Sequence, residues 1–200
     1  GNIERVANLF LTKTIYSGVL ALAVGVIGYA YPFEPIHVTI TGWFTIGIPA
    51  FVLSLAPNHE RAKPGFSSRV FRLALPSGLI VGALTFGFWL WAYPGVDAPK
   101  DVGGAASTAT LVVLIITAVW VLAVVARPYE PWKLALLAVA GGAYFIIFLV
   151  RPIASVLHLH PVPPGLGLAA VFTGIAGAVL VETGWQINRM RAAGAVRPNS

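Results

Sequence analysis

Six stretches of this chain are long and apolar enough to cross about 30 Å of hydrocarbon, and they leave little sequence for anything else. They run over residues 6–30, 36–56, 70–93, 106–126, 132–150 and 165–185. In lipid a backbone N–H or C=O finds no water, so each stretch must satisfy its own hydrogen bonds as a helix. The predicted fold is therefore all-α, a polytopic membrane bundle of six transmembrane helices forming a single domain over 1–200. Composition agrees: 10% of residues are charged, against about a quarter in a soluble domain. There is no cysteine, which excludes disulfides, thiolate catalysis and cysteine-bound metals.

The net charge of +6 invites a nucleic-acid reading, but the cations form no single tract. His59, Glu60, Arg61, Lys63 and Arg69 lie between the second and third spans. Arg127, Glu130 and Lys133 lie between the fourth and fifth, and Arg189, Arg191 and Arg197 close the chain. The alternate loops carry only Lys100 and Arg151. An excess of Lys and Arg marks the cytoplasmic side, so both termini and the two basic loops are expected there. The expected partner is the lipid bilayer, not nucleic acid. The loops are too short for a folded extramembrane domain. Beginning at Gly1 and in mid-pattern, the chain reads as a piece of a longer protein or as a trimmed one.

The second span is written to be interrupted. Residues 41–50 read TGWFTIGIPA; Pro49 has no amide hydrogen and its ring crowds the carbonyl of Thr45. Gly42 and Gly47 weaken the same turn, and Thr41 and Thr45 bring hydroxyls to it. The span is expected to be kinked or unwound near Gly47-Pro49. A break at mid-depth either serves packing or exposes carbonyls to an ion.

The first span is studded with Asn8, Thr12, Lys13, Thr14, Tyr16 and Ser17. Thr14 and Ser17 share one helical face; Lys13 shares a neighbouring face with Tyr16 and Ser17. A lysine here either snorkels to the cytoplasmic interface or works inside the bundle. Glu182 is expected to pair with Arg189 or another nearby cation. Thr108, Thr110 and Thr117 can return their hydroxyls to the backbone. His158-x-His160 has the donors for a metal, but no acid lies near it in sequence. Gly78-x-x-x-Gly82, Gly141-Gly142 and Gly174-x-x-Gly177 allow close helix approach. No phosphate loop, Ser-His-Asp set or carboxylate pair is present, so the segment carries no catalytic residues and no cofactor site of its own.

Residues 2–11, NIERVANLFL, followed by TKTIYS and by TIGIPAFVLSLAPN at 45–58, resemble the fifth and sixth membrane helices of P-type cation-transporting ATPases. The other four spans match the seventh to tenth by order and loop polarity. The nearest subgroup is that of the mycobacterial E-type calcium-transporting enzymes. The resemblance implies a membrane segment of an ATP-driven pump, with calcium the transported cation and ATP and Mg used by the parent protein. Its DKTGT aspartate and its ATP-binding and actuator domains would lie before residue 1. Carried over residue by residue, the ion ligands of calcium pumps fall on Thr14 and Ser17 in the first span. In the second they fall on Gly42, Thr45 and Ile46, ahead of Gly47 and Pro49. The family's carboxylates are missing from these places. The implied ion pathway is thus Lys13, Thr14, Ser17, Gly42, Thr45, Gly47 and Pro49, with Thr14 and Thr45 as metal ligands. The loop at 58–69 would touch the phosphorylation domain, and upstream helices would complete the site. The alternative is a self-contained six-span secondary transporter or channel subunit.

Overall fold

The structure, a computed structural model, describes residues 2–55 and 65–194. Helix α1 (Asn2–Ile27) is followed by α2 (Pro35–Gly42), a π-helical turn (Trp43–Gly47) and α3 (Ile48–Leu55), which run on as one span. Then come α4 (Phe66–Ala92), α5 (Lys100–Ala126), α6 (Pro131–Leu149), the short α7 (Arg151–Val156) and α8 (Pro164–Gly194). Six helices among the described residues have the length and apolarity to cross a membrane, and no strand occurs among them. The protein is a multi-pass membrane protein. Helices α1, α4 and α5 start four to six residues before the apolar runs, because polar ends such as Lys100-Asp101 extend the helix beyond hydrocarbon. The sequence gives no hint of α7.

Helix starts follow local chemistry. Glu34 and His37 form a reciprocal capping box around Pro35, the first residue of α2, which needs no amide partner there. Pro131 opens α6 in the same way. Helix α5 is buried on almost every side, as expected of a helix apolar all round, and the others pack about it.

Small residues set the two tightest crossings. A Cβ on Gly78 would come within 2.6 Å of Ile15 and 3.0 Å of the Thr12 carbonyl, and one on Gly82 within 2.8 Å of Val19. This brings α4 against α1. Gly174 and Gly177 likewise admit Ile116 and Thr117 of α5 against α8. Gly141 and Gly142 meet nothing within 4 Å, so that pair makes no close crossing here.

Charged side chains brace the basic end. Arg69 forks onto Glu4 at 3.0 and 3.2 Å, joining α4 to α1. Arg127 forks onto Glu182 at 3.0 and 2.9 Å and lies 4.3 Å over the Trp185 ring, joining the end of α5 to α8. The partner of Glu182 is thus Arg127, a residue 55 positions away in sequence, and not Arg189. Arg5 donates to the Arg127 carbonyl, and Asn188 to that of Arg72. Lys133, 1% exposed, is held by Glu130 and the Pro128 carbonyl. Most of the basic loop after the second span (56–64), with His59, Glu60, Arg61 and Lys63, lies outside the described residues, so the contact expected of 58–69 is not in view.

The opposite end is tied by neutral and histidine contacts. Trp89 donates to the Ala30 carbonyl, and Ser107 to that of Pro32. The Glu34 amide donates to His37 Nδ1, which leaves the His37 hydrogen on Nε2, donated to the Leu157 carbonyl at 2.9 Å. No acid lies near the His158/His160 pair in sequence, but in the fold the α1–α2 loop brings Glu34 to His158 Nδ1 at 2.5 Å. His160 turns its Nδ1 to the His158 carbonyl, and no group of three or more metal-type donors forms among the described residues.

Two outcomes test this packing. Gly78→Ala should lower the unfolding midpoint in detergent by the equivalent of about 1–3 kcal/mol, while Gly141→Ala should leave it unchanged. The hydrogen bond from His158 holds the Glu34 carboxyl below its ordinary value. Its stabilisation is therefore complete above the ordinary glutamate range and is lost as pH falls through the lowered value. Glu34→Gln should remove that acid-side slope from the unfolding curve and lower neutral-pH stability to the level the wild type reaches on acidification.

Candidate functional site

Pro49 offers no hydrogen to the Thr45 carbonyl, and an ordinary α turn there would drive its ring into that oxygen. The chain answers with a wider turn. Ile48 N–H donates to the Trp43 carbonyl five residues back, and Gly42, Trp43 and Ile48 all keep right-handed helical angles. The expected unwinding is absent: residues 35–55 remain helical, with one extra residue in the 43–47 turn. Such π turns inside α-helices are frequent at functional sites.

The carbonyl of Thr41, one turn before, collects two hydroxyls. Thr45 Oγ1 donates to it at 2.5 Å and Tyr144 OH, from α6, at 3.1 Å. Tyr144 also stands edge-on to Phe44, with centroids 5.6 Å apart. Thr41, Thr45 and Tyr144 are all buried.

Helix α1 meets this turn with a different face from the one expected. Its buried stripe runs Leu9, Thr12, Tyr16, Leu20, following helical spacing. Thr14 is exposed and returns its hydroxyl to the Phe10 carbonyl at 3.0 Å; Ser17 is half-buried. Thr12, Tyr16 and Thr45 instead line a narrow, half-open gap of about 10 Å³ with Leu9, Lys13 and Ile46. That is about the room one water needs. Thr12 Oγ1 is buried there with no hydrogen-bond partner among the described residues.

Lys13 does not snorkel toward the basic end. It lies about 16 Å along α1 from Asn2, and its Nζ would be 2.7 Å from a Cβ on Gly42. Gly42 is itself roughly 19 Å along its span from Leu55 at the basic end. The ammonium thus rests at the start of the π turn, against a residue with no side chain. It also borders an open groove of about 600 Å³ with Phe10, Gly42, Trp43, Gly47 and Phe51.

The chain is 50% identical over 197 residues to the calcium-transporting ATPases CtpE of Mycolicibacterium smegmatis, Mycobacterium bovis and Mycobacterium tuberculosis. It is a relative of CtpE. The match takes in 94% of this chain and 25% of those proteins, so the chain spans about a quarter of the length of the relatives it matches. Over 88 residues it is 38% identical to a probable cation-transporting ATPase, exp7, of Streptococcus pneumoniae. No family model matches, and no solved structure matches. The likeness to P-type ATPases read from residues 2–58 therefore extends along nearly the whole chain.

Set beside the CtpE likeness, the site differs from a plain carry-over of calcium-pump ligands. Thr45, Gly42, Gly47 and Lys13 come together, and Pro49 shapes the turn, whereas Thr14 and Ser17 stand away from Thr45. Sequence reading named Thr12 among the polar residues of the first span without placing it at this turn, and it missed Tyr144. The spacing of Thr12 with Leu9, Tyr16 and Leu20 carried the signal for the first; nothing local marks Tyr144, 103 residues from its acceptor. Thr108, Thr110 and Thr117 each donate to a carbonyl four residues back at 2.8 Å, the local use expected of them. Tyr144→Phe should cost about 1 kcal/mol of stability, read by thermal unfolding in detergent, and Thr14→Ala close to nothing.

Proposed function

We propose that this chain is the membrane-domain segment of an ATP-driven cation pump, with calcium as the cation. The observation that carries the reading is the 50% identity to calcium-transporting CtpE over 94% of the chain. ATP and Mg are used by the parent protein, through an aspartyl-phosphate in domains outside this segment. The segment supplies part of the ion path and anchors it in the bilayer.

The geometry supports a path at the π turn. A helix in hydrocarbon that departs from α pairing does so where its polar groups have another use. Here Thr12, Tyr16, Thr45 and Lys13 line one small gap beside that departure, and the Lys13 ammonium rests against Gly42. The open groove between α1 and the second span is where membrane helices from earlier in the same polypeptide dock and complete the site. Thr14 and Ser17, on the outward side of α1, reach the ion only through ligands those helices bring. The basic loop at 58–69 meets the phosphorylation domain, and both ends of the segment lie in the cytoplasm of a bacterial inner membrane, as the Lys and Arg placement indicates.

The deciding measurement is metal-dependent ATP hydrolysis by the full-length parent across calcium, magnesium, manganese and potassium. Calcium is expected to stimulate at the lowest concentration; no stimulation by any cation would end the pump reading. Pro49→Ala in that protein should let the 43–47 turn relax to an α turn. The expected result is a gain of about 1–3 kcal/mol in stability with at least a tenfold loss of apparent calcium affinity. Unchanged affinity would show that the π turn has no part in binding.

A further inference from the structure

Lys13 and Ile46 border two spaces at once. On one side is the open groove with Gly42, Trp43 and Gly47; on the other is the narrow gap lined by Thr12, Tyr16 and Thr45. These two side chains form the partition between them. Ile46 is a passive wall. Lys13 is not, because it puts a positive charge in the only place where the groove and the hydroxyls come close among the described residues.

The ammonium is placed rather than left over. Gly42 has no Cβ, and one built there would lie 2.7 Å from Nζ and 3.8 Å from Cε. The bare backbone is what gives the ammonium its seat. No carboxylate, carbonyl or hydroxyl of the described residues makes an ion pair or hydrogen bond with it. A lysine away from the interface and without a paired acid is costly in a bilayer, and such residues mark ion paths more often than packing. It also opposes any second cation brought within a few ångströms, and a divalent one twice as strongly as a monovalent one.

We infer that Lys13 is a resident cation of the transport path, which holds the entrance to the Thr12–Tyr16–Thr45 hydroxyls and weakens the site for divalent ions until it swings out of its seat on Gly42. The inference rests on the cation-pump reading. It adds that the charge of one side chain sets the apparent affinity and limits how many positive charges the site takes at once.

The test uses the full-length pump, purified and reconstituted, with calcium-stimulated hydrolysis titrated for wild type, Lys13→Met and Lys13→Arg. Lys13→Met should lower half-saturating calcium at least about tenfold, with a smaller change in maximal rate. Lys13→Arg keeps the charge and should stay within about threefold of wild type. Unchanged or raised half-saturating calcium in a folded Lys13→Met pump would overturn the inference, as would an equal shift in Lys13→Arg. Should Lys13→Met fail to fold, Lys13→Cys in a background without other cysteines separates charge from shape. Attaching an aminoethyl group through a disulfide should raise half-saturating calcium, and attaching a methyl group should not. Equal responses to the two reagents would overturn it. Absence of any cation stimulation in wild type defeats the pump reading itself, whereas a wild-type response with an inert position 13 defeats only the resident cation.

Discussion

Hydrogen bonds lost to Pro49 cannot be made good by solvent in the middle of a bilayer, and this deficit organises the site. An α turn at that point would leave the Thr45 carbonyl without a donor and in collision with a ring. Widening the 43–47 turn keeps the span helical, with Ile48 reaching back to Trp43. It also changes what the neighbours must supply. The Thr41 carbonyl takes hydroxyls from Thr45 and from Tyr144 of α6, so α6 is tied to the site by a polar contact as well as by packing. Gly42, which weakens the turn, gives the same weakness a second use by seating Lys13.

Rigidity is distributed to match. At the basic end, paired guanidinium forks fasten α4 to α1 and α5 to α8. Two-point pairs of this kind fix orientation as well as distance. Near mid-depth, α1 is pressed on α4 through Gly78 and Gly82, where backbone approaches backbone. The second span has no equivalent clamp against α1. Between them lie the open groove and the small gap beside Thr12, Tyr16 and Thr45. Among the described residues α1 is thus held most closely to α4, while the second span meets the bundle through its π turn and Tyr144 of α6.

Much of this architecture is legible in the sequence because hydrocarbon leaves few choices. Apolar length gives six helices, and the small residues at 78, 82, 174 and 177 mark the crossings where backbones touch. Pro49 marks the turn that must differ from its surroundings. What the sequence does not show is rotation. One residue of helix is 100°, so a face read as Thr14 and Ser17 lies round the wheel from the buried one, Thr12 and Tyr16. The family pattern favoured the first, and the apolar stripe through Leu9 and Leu20 the second; packing against α4 decides. Contacts between distant segments were equally hidden: Arg127 with Glu182, Glu34 with His158, Tyr144 with Thr41. Each joins groups whose local sequence satisfies them just as well with a nearer partner or with water.

Charge is the remaining constraint on what the π turn can hold. Among the described residues the acids are Glu4, Glu34, Asp97, Asp101, Glu130 and Glu182; none of them lines the groove or the small gap. Hydroxyls and carbonyls can replace part of a cation's water, but they cancel none of its charge. A divalent ion beside Lys13 would place three positive charges in a medium of low dielectric, which no arrangement of neutral dipoles from this segment offsets. For a pump built on this segment, negative charge must therefore come from helices that pack into the groove. Ion binding and closure of that groove then become one event, since neither the carboxylates nor the hydroxyls make a site alone.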